Sequence, residues 1–204
     1  MLTLWGKTLT GDWGGTIIRR QGTISMSVDP EMLRAVMRHW PTGVAVLTSR
    51  QGDRRHGMTV NSFTSVSLEP PLVLACVEQI VRTHTLIDES GIFAISFLRE
   101  GQSWISDRFA GRDSENSDRF EGLATYIAAT GAPILADNLG HLDCRVMAAY
   151  PAGNHTIYVA EVVDAALGAV QADSRRIHGD NGAGEESEGV LPLLYFNRGY
   201  HRLD

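Results

Sequence analysis

Residues 57–71, GMTVNSFTSVSLEPP, carry the densest set of groups able to recognise a ligand. No residue from Met58 to Leu68 is charged, yet Thr59, Ser62, Thr64, Ser65 and Ser67 bring hydroxyls and Asn61 an amide. Met58, Val60, Phe63, Val66 and Leu68 are interleaved with them. β-Branched and aromatic residues favour a pleated chain, and Pro70 with Pro71 ends any interior strand. A neutral, extended ribbon of small donors and acceptors suits a flat, uncharged ring with polar edges better than an ion or a metal. An isoalloxazine ring, with several acceptors and one N–H along its edge, has that character. The same pattern also describes a Ser/Thr-rich strand that merely runs into a turn.

Other chemistries lack their signatures. Gly182-Ala183-Gly184 sits in an acidic stretch that no strand feeds, so a Rossmann dinucleotide site is not indicated. There is no phosphate loop of the GxxxxGK type, no HExxH and no GxSxG elbow. The seven histidines are dispersed without metal-ligand spacing, so no metal is expected. A formal net charge of −6 argues against a nucleic-acid partner. No apolar run approaches the length of a membrane span. Cys76 and Cys144 form no CxxC and lie in apolar runs, as expected of reduced, strand-borne thiols in a cytoplasmic protein.

The elements that must position the ribbon follow from periodicity. Residues 1–28 hold scattered apolar residues without a sustained period or a secretory h-region, and read as an extension outside the fold. The folded domain is expected over residues 29–204. Asp29-Pro30 is an N-cap with proline at the first helical position, followed by Met32, Leu33, Val36, Met37 and Trp40 at helical spacing. Residues 44–48, 72–77, 92–98, 142–150, 155–163 and 191–195 read as strands, and PAGN between the fourth and fifth of these signals a hairpin. Thr83 is a candidate cap for a helix ending at Gly91, and residues 102–109 read as a further helix. Residues 112–121 are charged and read as a surface loop; residues 174–189 read as a polar loop. No internal repeat is evident. Six or seven strands with three short helices and no βαβ rhythm predict a mainly β protein, an antiparallel barrel.

GMTVNSFTSVSLEPPLV resembles the signature of the flavin reductase family, small NAD(P)H-dependent enzymes that supply reduced flavin to two-component monooxygenases. The resemblance continues in family order through PTGVAVLT, VRTHTLIDESGIFAIS, DRFAG, LDCRV, GNHTIYVAEV and PLLYFNRGYHRL, from about Asp29 to the C-terminus. It implies an FMN-binding split barrel, bound FMN or FAD, NADH or NADPH as hydride donor, a homodimer with flavin sites near the subunit interface, and a separate oxygenase that receives reduced flavin.

It also implies roles for particular residues. Met58, Thr59, Val60, Asn61, Ser62, Ser65, Val66 and Ser67 would bed the ring, with Thr42 and Val44 lining the same pocket. Arg82 and Thr83 would take the flavin phosphate, Arg for its forked geometry and the helix start for its free amides. Cys76 and Val77 would lie beside them, and Phe109 and Ala110 would close over the flavin. His155 is the candidate catalytic and nicotinamide-side residue, and Tyr200 a candidate nucleotide contact. Asn154 stands where the family commonly has Asp, and Ala160 where it has Gly; the first change removes a carboxylate acceptor for His155. The competing expectation is a flavin-holding electron-transfer module of the same barrel without efficient NAD(P)H turnover. An oxidase acting on pyridoxamine phosphate would need a second basic cluster, which the sequence does not offer.

Overall fold

The computed structural model describes residues 28–112, 118–168 and 190–202. The expected extension over 1–28, apart from Val28, and the expected loop over 174–189 lie outside these residues. Helix α1, Pro30–Met37, starts as the sequence dictates: the Asp29 carboxylate accepts from the Glu31 amide and Pro30 occupies the first turn. Two short elements bracket the next stretch, β1 (Thr42–Gly43) and β2 (Ala45–Gln51). β3 (Arg54–Val60), β4 (Phe63–Leu68) and β5 (Pro71–Glu78) follow almost without loops, and then α2 (Arg82–Ser90) and β6 (Ile92–Phe97). The chain continues through α3 (Ser103–Phe109), β7 (Thr125–Ile127), β8 (Pro133–Leu135), the long hairpin β9 (Gly140–Ala152) and β10 (His155–Leu167), β11 (Leu194–Phe196) and β12 (Gly199–His201).

The principal sheet is antiparallel throughout, in the order β3-β2-β6-β9-β10-β5-β4. Laid flat, seven strands would separate its edges by about 29 Å. Yet those edges, β3 and β4, are joined by only Asn61 and Ser62. The sheet must therefore curl until its ends meet. The interior confirms it: Val60 from one end and Val73 and Ala75 from the other share one core cluster with Leu47, Phe93, Ile95 and Tyr158. Phe63 stacks on Phe97 across that interior, at 5.6 Å between centroids. No ladder joins β3 to β4 among the described residues, so the barrel is split.

The neutral ribbon is thus not one strand. It is the end of β3, a two-residue step, and β4 on the opposite edge, with a bulge between Ser65 and Ser67. Local pattern could not distinguish these, because both halves are uncharged and β-prone. The second correction concerns α2. Its N-cap is Val81 without a side-chain cap, whereas Thr83 lies inside the first turn and is fully buried. The helix does end as expected at Gly91, whose φ of +68° suits glycine and whose N–H reaches Ile87 O.

β2 is buried on both faces from Ala45 to Ser49. Its outer face meets a second cluster, Val46 with Ile105 and Phe109 of α3, Phe120, Leu135 and Leu193. α3 is thereby pinned across β2 and β3. That placement sets up the site.

Candidate functional site

Gly57 lets α3 approach β3. A Cβ there would stand 2.7 and 2.9 Å from the Phe109 ring and 3.0 Å from Thr48 Cγ2. Side chains of ordinary size would push the helix off the strand. Thr59 Oγ1 donates to Ser106 O, and Arg119 Nη1 donates to both Gly57 O (2.9 Å) and Phe109 O (2.8 Å). The helix end, the edge strand and the segment at 118–120 are therefore one rigid unit.

Between this unit and the start of α2 lies a cleft of about 700 Å³, within the usual range for small-molecule sites. Its floor is Met58 and Thr59 of β3, and one wall is Phe109 and Ala110. Glu78, Ile80, Val81 and Arg82 form the opposite side, where β5 turns into α2. Arg55, His56, Arg119 and Phe120 complete it. The lining thus combines neutral groups with the cations Arg55, Arg82 and Arg119 and the carboxylates Glu78 and Asp118. A second lobe of about 510 Å³ continues past His56 and Arg82 along Arg54, Thr85 and Leu86. A smaller hollow of about 170 Å³ adjoins the floor, lined by Val44, Val60, Asn61 and Tyr200, among others.

The charged groups differ in how they are held. Arg55 pairs with Asp118 at 3.0 Å and lies 4.5 Å above the Phe120 ring. The Phe120 amide, and then Arg55, hold the Asp118 carboxyl below the usual carboxylate range, against burial. Arg82 has no hydrogen-bond or ion-pair partner among the described residues. His56 bonds Thr83 Oγ1 through Nδ1 at 2.8 Å. Burial first, then Arg119 and Arg82, push its imidazole down to about 4.

The structure brings together Met58, Thr59, Arg82, Phe109 and Ala110 in the main cleft, and places Val44, Val60, Asn61 and Tyr200 around the adjoining hollow. Thr42 Oγ1 accepts from Asn61 Nδ2 (3.1 Å), steadying the step between β3 and β4. Ser62 Oγ donates to Cys76 O, and Cys76 N donates to Ser62 O, both at 2.9 Å. Ser65 and Val66 are exposed and Ser67 half-buried on β4, and none of them lines the cleft. Val77 and Thr83 are wholly buried and present no side chain to the cleft. His155 pairs in register with Glu78, a cleft residue, and sits just beyond the rim with Nδ1 2.9 Å from Asn154 Oδ1. The Tyr200 hydroxyl donates to Asp107 Oδ1 (2.6 Å) and accepts from Ser106 Oγ (2.9 Å), so it braces α3. Burial and the Asp107 bond raise it above the usual phenol range.

Of residues 112–121, expected to be a surface loop, 118–120 line the site, and 113–117 lie outside the described residues. Phe120 is buried and packs edge-on against Phe109 at 5.2 Å. The signal was present: DRFAG at 107–111 is echoed by DRFEG at 118–122, and the two phenylalanines meet. His56 and Arg55 were missed for a simpler reason: they stand immediately before the neutral ribbon rather than in it. Among the described residues no group of three or more His, Cys, Asp or Glu side chains could hold a metal ion.

A floor of small neutral groups, an aromatic wall and a partnerless guanidinium fit a planar ring carrying an anionic tail. Comparison with known proteins agrees. The flavin reductase like domain matches residues 37–204. The chain belongs to that family. The reductase component of 4-hydroxyphenylacetate 3-monooxygenase from Thermus thermophilus is 36% identical over 173 residues, covering 85% of this chain and 96% of that protein. The actinorhodin polyketide dimerase of Streptomyces coelicolor is 39% identical over 138 residues, 67% of this chain and 76% of that one. Among solved structures, the NADH:FAD oxidoreductase SgcE6 of Streptomyces globisporus, in complex with NAD and FAD fragments, superposes with a TM-score of 0.70 at 32% identity, over 87% of this chain and 96% of that one.

Proposed function

We propose that this flavin reductase family member oxidises NADH or NADPH, passes the hydride to FMN or FAD, and releases the reduced flavin to a separate oxygenase. The single observation that supports this most is the cleft, which brings together a neutral β3 floor, the Phe109–Phe120 pair and Arg82. Bound there, an isoalloxazine supplies the redox chemistry by accepting a hydride from the dihydronicotinamide. The chain supplies position. Met58 and Thr59 offer backbone and small side-chain groups to the ring, Phe109 and Phe120 exclude water, and Arg82 anchors the phosphate. His155 stands at the rim and serves the nicotinamide side. No strong acid or base is required of the protein for hydride transfer.

Several features accord with a homodimer. α1 has no buried residue, and Met32, Leu33, Val36, Met37 and Trp40 on it and just after it are all more than half exposed. An eight-residue helix is not stable alone in water, so a second copy covering it is the economical arrangement. Met147 and Tyr150 on β9 are also exposed. Ser65, Val66 and Ser67, which do not line the cleft of one chain, would then contribute to a site near that interface. No helix among the described residues is long and apolar enough to cross a membrane, and both cysteines are free, which accords with action in the cytoplasm. The reductase domain is residues 29–204, with residues 1–25 dispensable.

The deciding experiment is steady-state oxidation of NADH and of NADPH with FMN, FAD and riboflavin added in parallel. Oxidation that depends on added flavin is the expected result. No oxidation with any flavin refutes the assignment.

A further inference from the structure

We infer that His56 takes up a proton when the phosphate-bearing tail of a flavin binds beside Arg82, so that retention of the flavin is coupled to pH. The inference rests on the flavin reading above and concerns a residue which that reading does not use. His56 lies where the main cleft meets its second lobe and lines both. Its Nδ1 is held by the Thr83 hydroxyl at 2.8 Å, which fixes the ring; Nε2 has no partner among the described residues.

The charges facing the ring come from three elements. Arg82 stands on α2, Arg119 on the segment after α3, and Arg54 and Arg55 on its own strand. Against them stand Asp53, Glu78, Glu89 and Asp118, of which Asp118 is already paired with Arg55 and Glu89 with Arg54. With no anion beside Arg82, burial first and then the Arg119 and Arg82 guanidiniums keep the imidazole neutral. An anionic phosphate or diphosphate against Arg82 offsets the guanidiniums' share of that effect. The imidazolium then becomes a third cationic contact to the same anion. Binding and protonation therefore strengthen each other, and by linkage the affinity must rise as pH falls.

The size of the effect follows from the two states. With His56 at about 4 in the free protein and its ordinary 6.5 as the upper limit in the complex, linkage predicts up to about fourfold tighter binding at about pH 6 than at about pH 8. It predicts uptake of up to about 0.75 proton per flavin at about pH 6. FAD is the probe of choice because a phosphate monoester such as that of FMN titrates on its own near pH 6, whereas the FAD diphosphate does not. Riboflavin, without a phosphate, is the control.

The test is a fluorescence titration with FAD and with riboflavin at both pH values, together with calorimetry in two buffers of different ionisation enthalpy. Proton uptake with FAD, none with riboflavin, and loss of both the uptake and the pH dependence in His56→Gln are expected. The wild-type calorimetry keeps the test valid if the variant folds poorly. FAD affinity that is flat with pH, or uptake that persists in the variant, overturns the inference while leaving the flavin site standing. FAD that does not bind, or that binds Arg82→Ala as well as the wild type, overturns the flavin reading and this inference with it.

Discussion

Gly57→Ala tests how the cleft is built. The added methyl would fall 2.7 Å from Phe109 Cε1, 2.9 Å from Cδ1 and 3.0 Å from Thr48 Cγ2. None of these can yield cheaply. Phe109 and Thr48 are completely buried, and the Phe109 ring is backed edge-on by Phe120. Arg119 also ties the carbonyls of residues 57 and 109 together. Relief must come by moving α3 away from β3. Overpacking of this kind costs about 1–3 kcal/mol. For a domain of this size that is a Tm lowered by about 2–12 °C. Because Phe109 and Phe120 form the wall, the flavin KM rises as well. Thermal unfolding and steady-state kinetics with FMN or FAD read the two effects. Phe109→Leu in the same background makes room for the methyl and restores part of the Tm. A Gly57→Ala variant as stable as the parent, or one that the second change does not help, would refute the account of how helix and strand are locked.

Arg82→Ala removes the partnerless guanidinium; a lost charge-assisted contact of about 1.5–3 kcal/mol raises the KM for FMN roughly ten- to a hundredfold. Riboflavin kinetics should hardly change, and an equal loss with both substrates would mean general damage instead. Val36→Glu places a charge on the uncovered face of α1 and should convert a dimer to a monomer in light scattering; an unchanged mass would move the interface elsewhere. The flavin-free protein should lose stability as pH falls from 6.5 toward 4. The folded imidazole of His56 sits at about 4, below its ordinary 6.5, so the unfolded chain binds the extra proton across that window. Tm measured at several pH values checks the slope, which His56→Gln should flatten.

What could be read from the chain alone was whatever is local. β-Branched runs marked β2, β5, β6 and β10, PAGN marked the β9–β10 turn, and Gly91 marked the end of α2. The absence of charge from Met58 to Leu68 was legible because neutrality is a property of each residue. What stayed hidden depends on where distant segments meet. Asn61 and Ser62 look like any other pair in a polar ribbon, yet they bridge the two ends of a seven-stranded sheet. Thr83 has the right type for a helix cap, but its hydroxyl is taken by His56 from β3, and the helix begins without it. Arg119 and Phe120 vanish in a charged run, since one aromatic among many polar residues reads as surface; only its packing on Phe109 shows otherwise.

On the proposed reading the two kinds of residue divide the labour of the site in the same way. A bed for the ring would need closeness to the main chain, which small neutral residues of β3 would provide and a sequence displays. An anchor for the tail would need positive charge from several directions, and β3, α2 and the segment after α3 bring arginines to one cleft. A change within the ribbon should therefore alter how every flavin binds. A change at Arg82, Arg119 or His56 should separate flavins by whether they carry a phosphate.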